Sequence, residues 1–277
     1  MNVVVAIPHI GDIVPLTGFL THQALDAAYK IYVLDDYTDE NVLNTMKIPP
    51  GVELIRSSER LFPTKSRNRM LHLDGGDIIL FIDNDMDVHT PNFISRISDY
   101  FEKNSTLGIL SGQVKRLNGV TDWFSYGRFL SPFDMKHLDV WTQVAWKYRK
   151  QKEIFEWIVQ NAGHLCYDFW TDEMEKEVDW VYEGFFAVRT SLFKKLGGFD
   201  EKFKMFHDGP DLCLRVKRAG YKVLWTPTLQ ITHKKTINIE NDERNIIMDN
   251  ATRYWYNKHF SINDEIYDRL TELKFTS

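Results

Sequence analysis

The chain reads as an α/β protein: a mostly parallel central sheet flanked by helices, with an aromatic-rich insertion and helices closing the C-terminus. Three observations predict it. Apolar runs rich in Val, Ile and Leu alternate with helical patterns from the start to about Leu110. The alternation resumes at Val181 and continues to about His233. Between them, 123–180 is crowded with rings, among them Trp123, Phe124, Trp141, Trp146, Phe169, Trp170 and Trp180. Strands covered on both faces read as unbroken apolar runs, and strand-helix-strand alternation gives parallel pairing through right-handed crossovers.

In order, the predicted strands are Val3–Ile7, Ile31–Leu34, Val52–Ile55, Ile78–Ile82 and Leu107–Leu110. Helical patterns lie between them at Leu16–Tyr29, Thr64–Leu73 and Pro91–Phe101, the last opening on Thr90-Pro91 as cap and first-turn proline. Within the insertion, Trp141, Val144, Tyr148, Gln151, Phe155 and Ile158 fall at helical spacing, which predicts one amphipathic helix. Two closing helices are expected at Asn241–Lys258 and Asn263–Leu273.

A length of 277 residues suits one large α/β unit with an extension. With 43% hydrophobic and 26% charged residues, the chain can bury a core, which excludes disorder as the main state. The 34 basic and 39 acidic side chains leave a net charge of −5, which argues against duplex nucleic acid as the partner. Trp146–Lys152 interleaves rings and cations as single-strand binders do, yet its charges fall largely on the solvent side of the predicted helix. No apolar run approaches the ~20 residues of a membrane span. The segment Met1–Pro8 lacks a leader's basic start and cleavage site, and Cys166 and Cys213 suffice for neither a disulfide framework nor a four-thiolate zinc site. Together these predict a cytoplasmic protein.

In an open α/β sheet, ligands collect at the carboxyl ends of strands, so the polar residues there carry the candidate chemistry. There is no Gly-x-Gly-x-x-Gly after the first strand, no phosphate loop, no nucleophile elbow and no His-Glu-x-x-His. The run Ile78–Ile82 ends instead in Asp83-Asn84-Asp85-Met86-Asp87. Carboxylates at alternate positions beside a buried strand need a cation or hydrogen bonds, and oxygen ligands suit Mg²⁺ or Mn²⁺; a solvated loop or cap is the plainer reading. Asp35-Asp36 ends the second strand and suits a base N–H, a ribose, or equally a structural turn. Lys65, Arg67 and Arg69 at a helix start suit an anion or a solvated surface. Asp208 and Asp211 flank the start of another helix whose Leu212 and Val216 would face the core; one suits a cap, the other a general base. His233 ends an apolar strand, where a histidine is either structural or a ligand.

In this order the pieces resemble a family 2-type glycosyltransferase of the GT-A fold. Val33–Asp39 is similar to the family's Val-Asp-Asp-Gly-Ser-x-Asp, Ser66-Arg67-Asn68 to its Ala-Arg-Asn, and Phe81–Asp85 to its Asp-x-Asp strand end. Gly197–Glu201 and Asp208–Arg215 are similar to its Gly-Gly-Phe-Asp-Glu and Glu-Asp-x-Asp-Leu-x-Leu-Arg. The similarity spans 1 to about 235, with a gap at 123–178.

The resemblance implies a metal-dependent, inverting transfer of sugar from a nucleotide-diphosphate donor, UDP-linked, to the hydroxyl of a glycan, small molecule or modified macromolecule. It implies Asp36 at the uracil, Arg67 on the nucleotide, Asp83 and Asp85 at ribose and metal, and His233 completing the metal or diphosphate site. Pro8, Asp35 and Asn84 join the donor contacts, and the metal is Mn²⁺ or Mg²⁺. The base is Asp208 or Asp211, since Gly209 stands where the family has its second carboxylate. By the same reading 1–236 is the transferase unit, with 1–111 binding donor and 112–236 facing acceptor around the insertion 123–180; 237–277 is a helical extension. Two other readings are a sugar nucleotidyltransferase, whose Gly-rich, Lys-containing loop is replaced here by Pro8-His9-Ile10-Gly11, and a catalytically silent sugar-binding scaffold, suggested by Gly209.

Overall fold

Alternation within single strands builds the two faces of this protein. In the computed structural model, which describes residues 1–20, 25, 27–122, 125–162, 174–234 and 241–272, the first four strands are β1 (Val3–His9), β2 (Lys30–Asp35), β3 (Val52–Arg56) and β4 (Ile78–Ile82). They lie in the order β3-β2-β1-β4, all parallel. Val3, Val5, Ile7, Ile78, Leu80 and Ile82 pack on one face of this sheet, Val4, Ala6, Ile79 and Phe81 on the other. Both faces are buried, so the strands read as continuous apolar runs, as predicted.

Later in the chain come β5 (Met86–Val88), β6 (Leu107–Lys115), the two-residue β7 (Tyr126–Gly127), β8 (Lys176–Glu177) and β9 (Trp180–Val181), then β10 (Phe185–Arg189) and β11 (Lys222–His233). The sheet continues β4-β10-β6-β11-β5, with β8 also on β11, while β7 and β9 form a separate ribbon. β10 is antiparallel to both β4 and β6, and β5 and β8 are antiparallel to β11, so the sheet is mixed where a mostly parallel one was expected. A buried antiparallel strand has the same apolar run as a parallel one, which hides its direction in the sequence.

The flanking helices are α1 (Ile13–Leu20), α2 (Glu40–Leu43), α3 (Phe62–Asn68), α4 (Phe93–Lys103), α5 (Pro132–Tyr148), α6 (Lys152–Ala162), α7 (Thr190–Lys195), α8 (Asp208–Arg218), α9 (Asn241–Phe260) and α10 (Asp264–Glu272). α1 and α4 cover the first face, through Leu16, Phe19, Phe93 and Ile97. α7 and α8 cover the second, through Phe193, Leu212 and Val216. The single helix expected across Trp141–Ile158 is two helices, because the polar run Arg149–Gln151 lets the chain fold back and pack Ala145 against Ile158. Trp123, Phe124, Cys166, Phe169 and Trp170 lie outside the described residues. Among those described, no helix is long and apolar enough to cross a membrane.

Candidate active site

The carboxyl ends of β1 and β4 open onto a cleft of about 590 Å³, closed on the far side by the start of α8 and the loop before β10. Of the residues singled out in the sequence, Pro8, Asp36, Arg67, Asp83, Asn84, Asp85, Asp208 and His233 line it; Asp35 and Asp211 do not.

Arg67 is the hub. It sits on α3, 3% exposed, and reaches Asp83 Oδ1 with Nη2 at 3.0 Å and Asp208 Oδ2 with Nη1 at 3.5 Å. Strand parity puts Asp83 on the α3 and α8 side of the sheet, because Ile82 points to the opposite face. Burial pushes the Asp83 carboxyl up to about 6, despite the opposing charge of Arg67. Asp208 opens α8 and also accepts a hydrogen bond from Thr64 Oγ1 at 3.0 Å; burial raises its pKa. Asn68 donates to Phe199 O and Glu201 Oε1, both at 3.0 Å, and its Oδ1 accepts from the Phe199 amide at 2.8 Å. The Ser-Arg-Asn and Gly-Gly-Phe-Asp-Glu segments are therefore two halves of one clasp.

Asp85 points elsewhere, and His233 meets it. The antiparallel pairing of β11 with β5 sets His233 opposite Met86, which brings its Nε2 to 3.3 Å from Asp85 Oδ2. The Tyr182 hydroxyl lies 3.4 Å from His233 Nδ1, on the other edge of the ring. A carboxylate oxygen beside an imidazole nitrogen fits a divalent first-row ion, Mn²⁺ ahead of the oxygen-seeking Mg²⁺. Asp83 is turned to Arg67, and among the described residues no three His, Cys, Asp or Glu side chains form a ready-made metal group.

The second strand's carboxylates divide by parity too. Asp36 accepts hydrogen bonds from the amides of Leu61 and Phe62, anchoring the start of α3 at the cleft wall. Burial raises its pKa more than those amides lower it. Asp35 is fully buried, accepting from the Thr38 amide at 3.4 Å with Arg56 Nε at 3.8 Å, so it shapes the turn after β2. Asp211 is fully buried and held by Arg215 Nε at 2.7 Å, Lys258 Nζ at 2.5 Å and His259 Nε2 at 2.7 Å. It ties α8 to α9, away from the cleft.

Among the groups that had no place in the sequence reading, Glu183 and His9 line the cleft and His207 lies next to Asp208. Glu183 lines the cleft beside Asp208, and burial together with that neighbouring carboxylate raises its pKa. His9 contacts Asn84 Nδ2 through Nδ1 at 2.9 Å while its Nε2 is buried without a partner; burial lowers its pKa. His207, left-handed at φ 56°, precedes Asp208 and contacts Thr252 on α9 at 2.9 Å. A carboxylate just before an apolar strand, as in Tyr182-Glu183-Gly184-Phe185, was the only sequence cue to Glu183.

A half-parallel sheet whose β4 ends in Asp-x-Asp, with a cleft at the strand ends, gives this chain a GT-A fold. The match to the family model "Glycosyl transferase family 2" covers residues 20–171, more than half of the chain, and the chain belongs to that family. It is 32% identical over 68 residues to an N-acetylglucosaminyl-diphospho-decaprenol L-rhamnosyltransferase of Mycobacterium tuberculosis, covering 24% of this chain and 22% of that one. It is 38% identical over 56 residues to rhamnosyltransferase WbbL of Escherichia coli, covering 20% of this chain and 21% of that one. The chain thus spans only about a fifth of the curated relatives it matches. In fold it is similar to GalNAc-T7, solved with UDP, GalNAc and Mn²⁺, with a TM-score of 0.60 at 13% identity over 98% of this chain and 54% of that one. It is also similar to the mannosyltransferase PcManGT of Pyrobaculum calidifontis, solved with GDP-Man and Mn²⁺, with a TM-score of 0.57 at 13% identity over 98% of this chain and 69% of that one.

Proposed function

We propose that this glycosyltransferase uses a nucleotide-diphosphate sugar, UDP-linked, depends on a divalent ion and inverts the anomeric centre. One observation carries this reading: Asp36, Arg67, Asp83, Asp85, His233 and Asp208, from five separate segments, face a single cleft at the strand ends. Asp36 and the start of α3 form the nucleoside end, next to Pro8. Asp83, steered by Arg67, faces the ribose. Asp85 and His233 would hold the ion, whose chemistry there is to neutralise charge on the departing diphosphate. The chain's own part is orientation and proton transfer. A carboxylate on the α8 side of the cleft takes the acceptor hydroxyl's proton as its oxygen attacks the anomeric carbon from the face opposite the diphosphate. In this reading 1–236 form the transferase unit and 237–277 an extension that braces α8.

A screen of UDP-, GDP- and TDP-sugars for nucleotide release tests it. We expect UDP release with Mn²⁺ or Mg²⁺, none in EDTA, and loss in Asp85→Ala. Equal release in EDTA would refute the metal, and release from GDP- or TDP-sugars alone would refute UDP. NMR of the product's anomeric proton reads the stereochemistry; a retained configuration refutes inversion.

A further inference from the structure

We propose that Glu183 is the general base, standing in for the carboxylate that Gly209 lacks. This rests on the transfer reading above and assigns its proton acceptor.

The first observation is steric. A Cβ built on Gly209 would come within 2.8 Å of Glu183 Cβ and 3.3 Å of its Oε2. A side chain at 209 and the glutamate at 183 therefore compete for one volume. Where the family pattern places its second carboxylate on α8, this chain deletes that side chain and fills the space from the loop before β10. The functional group is relocated and the position of negative charge is kept.

The second observation is access. Asp208 is 1% exposed; its Oδ2 is taken by Thr64 and Arg67, and its Oδ1 is buried without a hydrogen-bond partner. It can orient Arg67, but it offers an acceptor almost no exposed oxygen. Asp211 is fully buried among Arg215, Lys258 and His259. Of the two carboxylates that line the cleft beside the start of α8, Asp208 is buried and Glu183 is only partly buried.

The third observation is rigidity. Gly184 O accepts the Asp83 amide at 2.9 Å, and a Cβ at 184 would fall 2.6 Å from Asp83 Oδ2 and 2.4 Å from the Tyr182 ring. This close approach pins the backbone of Glu183 to the end of β4, at a fixed place relative to Asp83. In the step, the acceptor oxygen bonds to the anomeric carbon as its proton passes to Glu183, and the carbon–oxygen bond to the diphosphate breaks with its electron pair leaving on the diphosphate. Glu183 then releases the proton to water. Water as acceptor follows the same course.

The test uses the whole chain, Mn²⁺ and each UDP-sugar that the wild type turns over, with water as acceptor. Glu183→Gln is expected to cut UDP release by roughly 10²–10⁴ while the UDP dissociation constant changes less than about threefold. The paired variant Glu183→Gly, Gly209→Asp, which returns the carboxylate to α8, is expected to recover at least about tenfold over Glu183→Gln. UDP release within threefold of wild type in a folded Glu183→Gln overturns the proposal and leaves the transfer reading intact. Should Glu183→Gln not fold, Glu183→Ala with added formate decides: rate restored by formate supports the base, and a formate-insensitive rate overturns it. A wild type that binds UDP yet releases none from any donor overturns the transfer reading itself.

Discussion

At the scale of single residues, the site is a problem of like charges held together. Asp83 and Asp208 flank one guanidinium, with Glu183 adding a third negative charge to its surroundings. Bringing carboxylates together out of water is tolerated only because Arg67 lies between them. Removing that cation is worse than never having had the pair. Arg67→Met should therefore destabilise the fold by ~3–5 kcal/mol at neutral pH, read by urea unfolding. The sign with pH follows. Without Arg67 the folded carboxylates keep pKa values above their unfolded ones, so the deficit is small in acid and grows as pH rises past about 4. A deficit independent of pH would show that Arg67 acts by packing alone. Arg67 was legible through Ser66-Arg67-Asn68, but its partners were not. Nothing in a linear run of aspartates says that Asp83 and Asp85 part company, one to an arginine and one to a histidine 148 positions away. Register and strand parity decide that.

At the scale of elements, α9 acts as a strut across the base of α8. Its Lys258 bonds Asp200 at 2.7 Å as well as Asp211, its Tyr254 hydroxyl donates to Asp200 at 2.8 Å, and Trp255 and Tyr256 pack with Phe203. Burial alone would raise the Asp200 carboxyl, but hydrogen bonds from Lys258, the Lys202 amide and Tyr254 outweigh it and bring it down to about 2. A depressed carboxyl stabilises the fold above its unfolded pKa of ~3.9, and that contribution fades as pH falls through the folded value. Asp200→Asn should thus cost roughly 1–2 kcal/mol at pH 7, tempered by partial solvation, and the two proteins should converge near pH 2. Chemical denaturation across that range checks it; curves that stay apart in acid would contradict the pairing. α9 was expected from its sequence pattern, its purpose was not. The same holds for α5 and α6, whose common helical spacing conceals the turn between them because both limbs share one apolar stripe that closes on itself.

At the scale of the whole molecule, the cleft exists because the carboxyl ends of parallel strands open on one edge and a mixed second half closes over it. A ligand bound there should couple the two halves. UDP at 100 times its dissociation constant, with Mn²⁺, should add ~2.7 kcal/mol of stability and raise Tm by roughly 5 °C. The rise should vanish in EDTA or in Asp85→Ala. A rise of the same size without metal would mean that the nucleotide is gripped by the chain alone.

The order of the main strands and helices, the family motifs and seven polar residues of the cleft (Asp36, Arg67, Asp83, Asn84, Asp85, Asp208 and His233) follow from local pattern, because burial on two faces and strand-end chemistry leave their mark residue by residue. Three things belonged to the tertiary structure alone: the reversed direction of β10, the retirement of Asp211 into a structural clasp, and the approach of Glu183 to Gly209. Each depends on which distant segment comes to lie alongside, and contacts between segments far apart in the chain have no period to read.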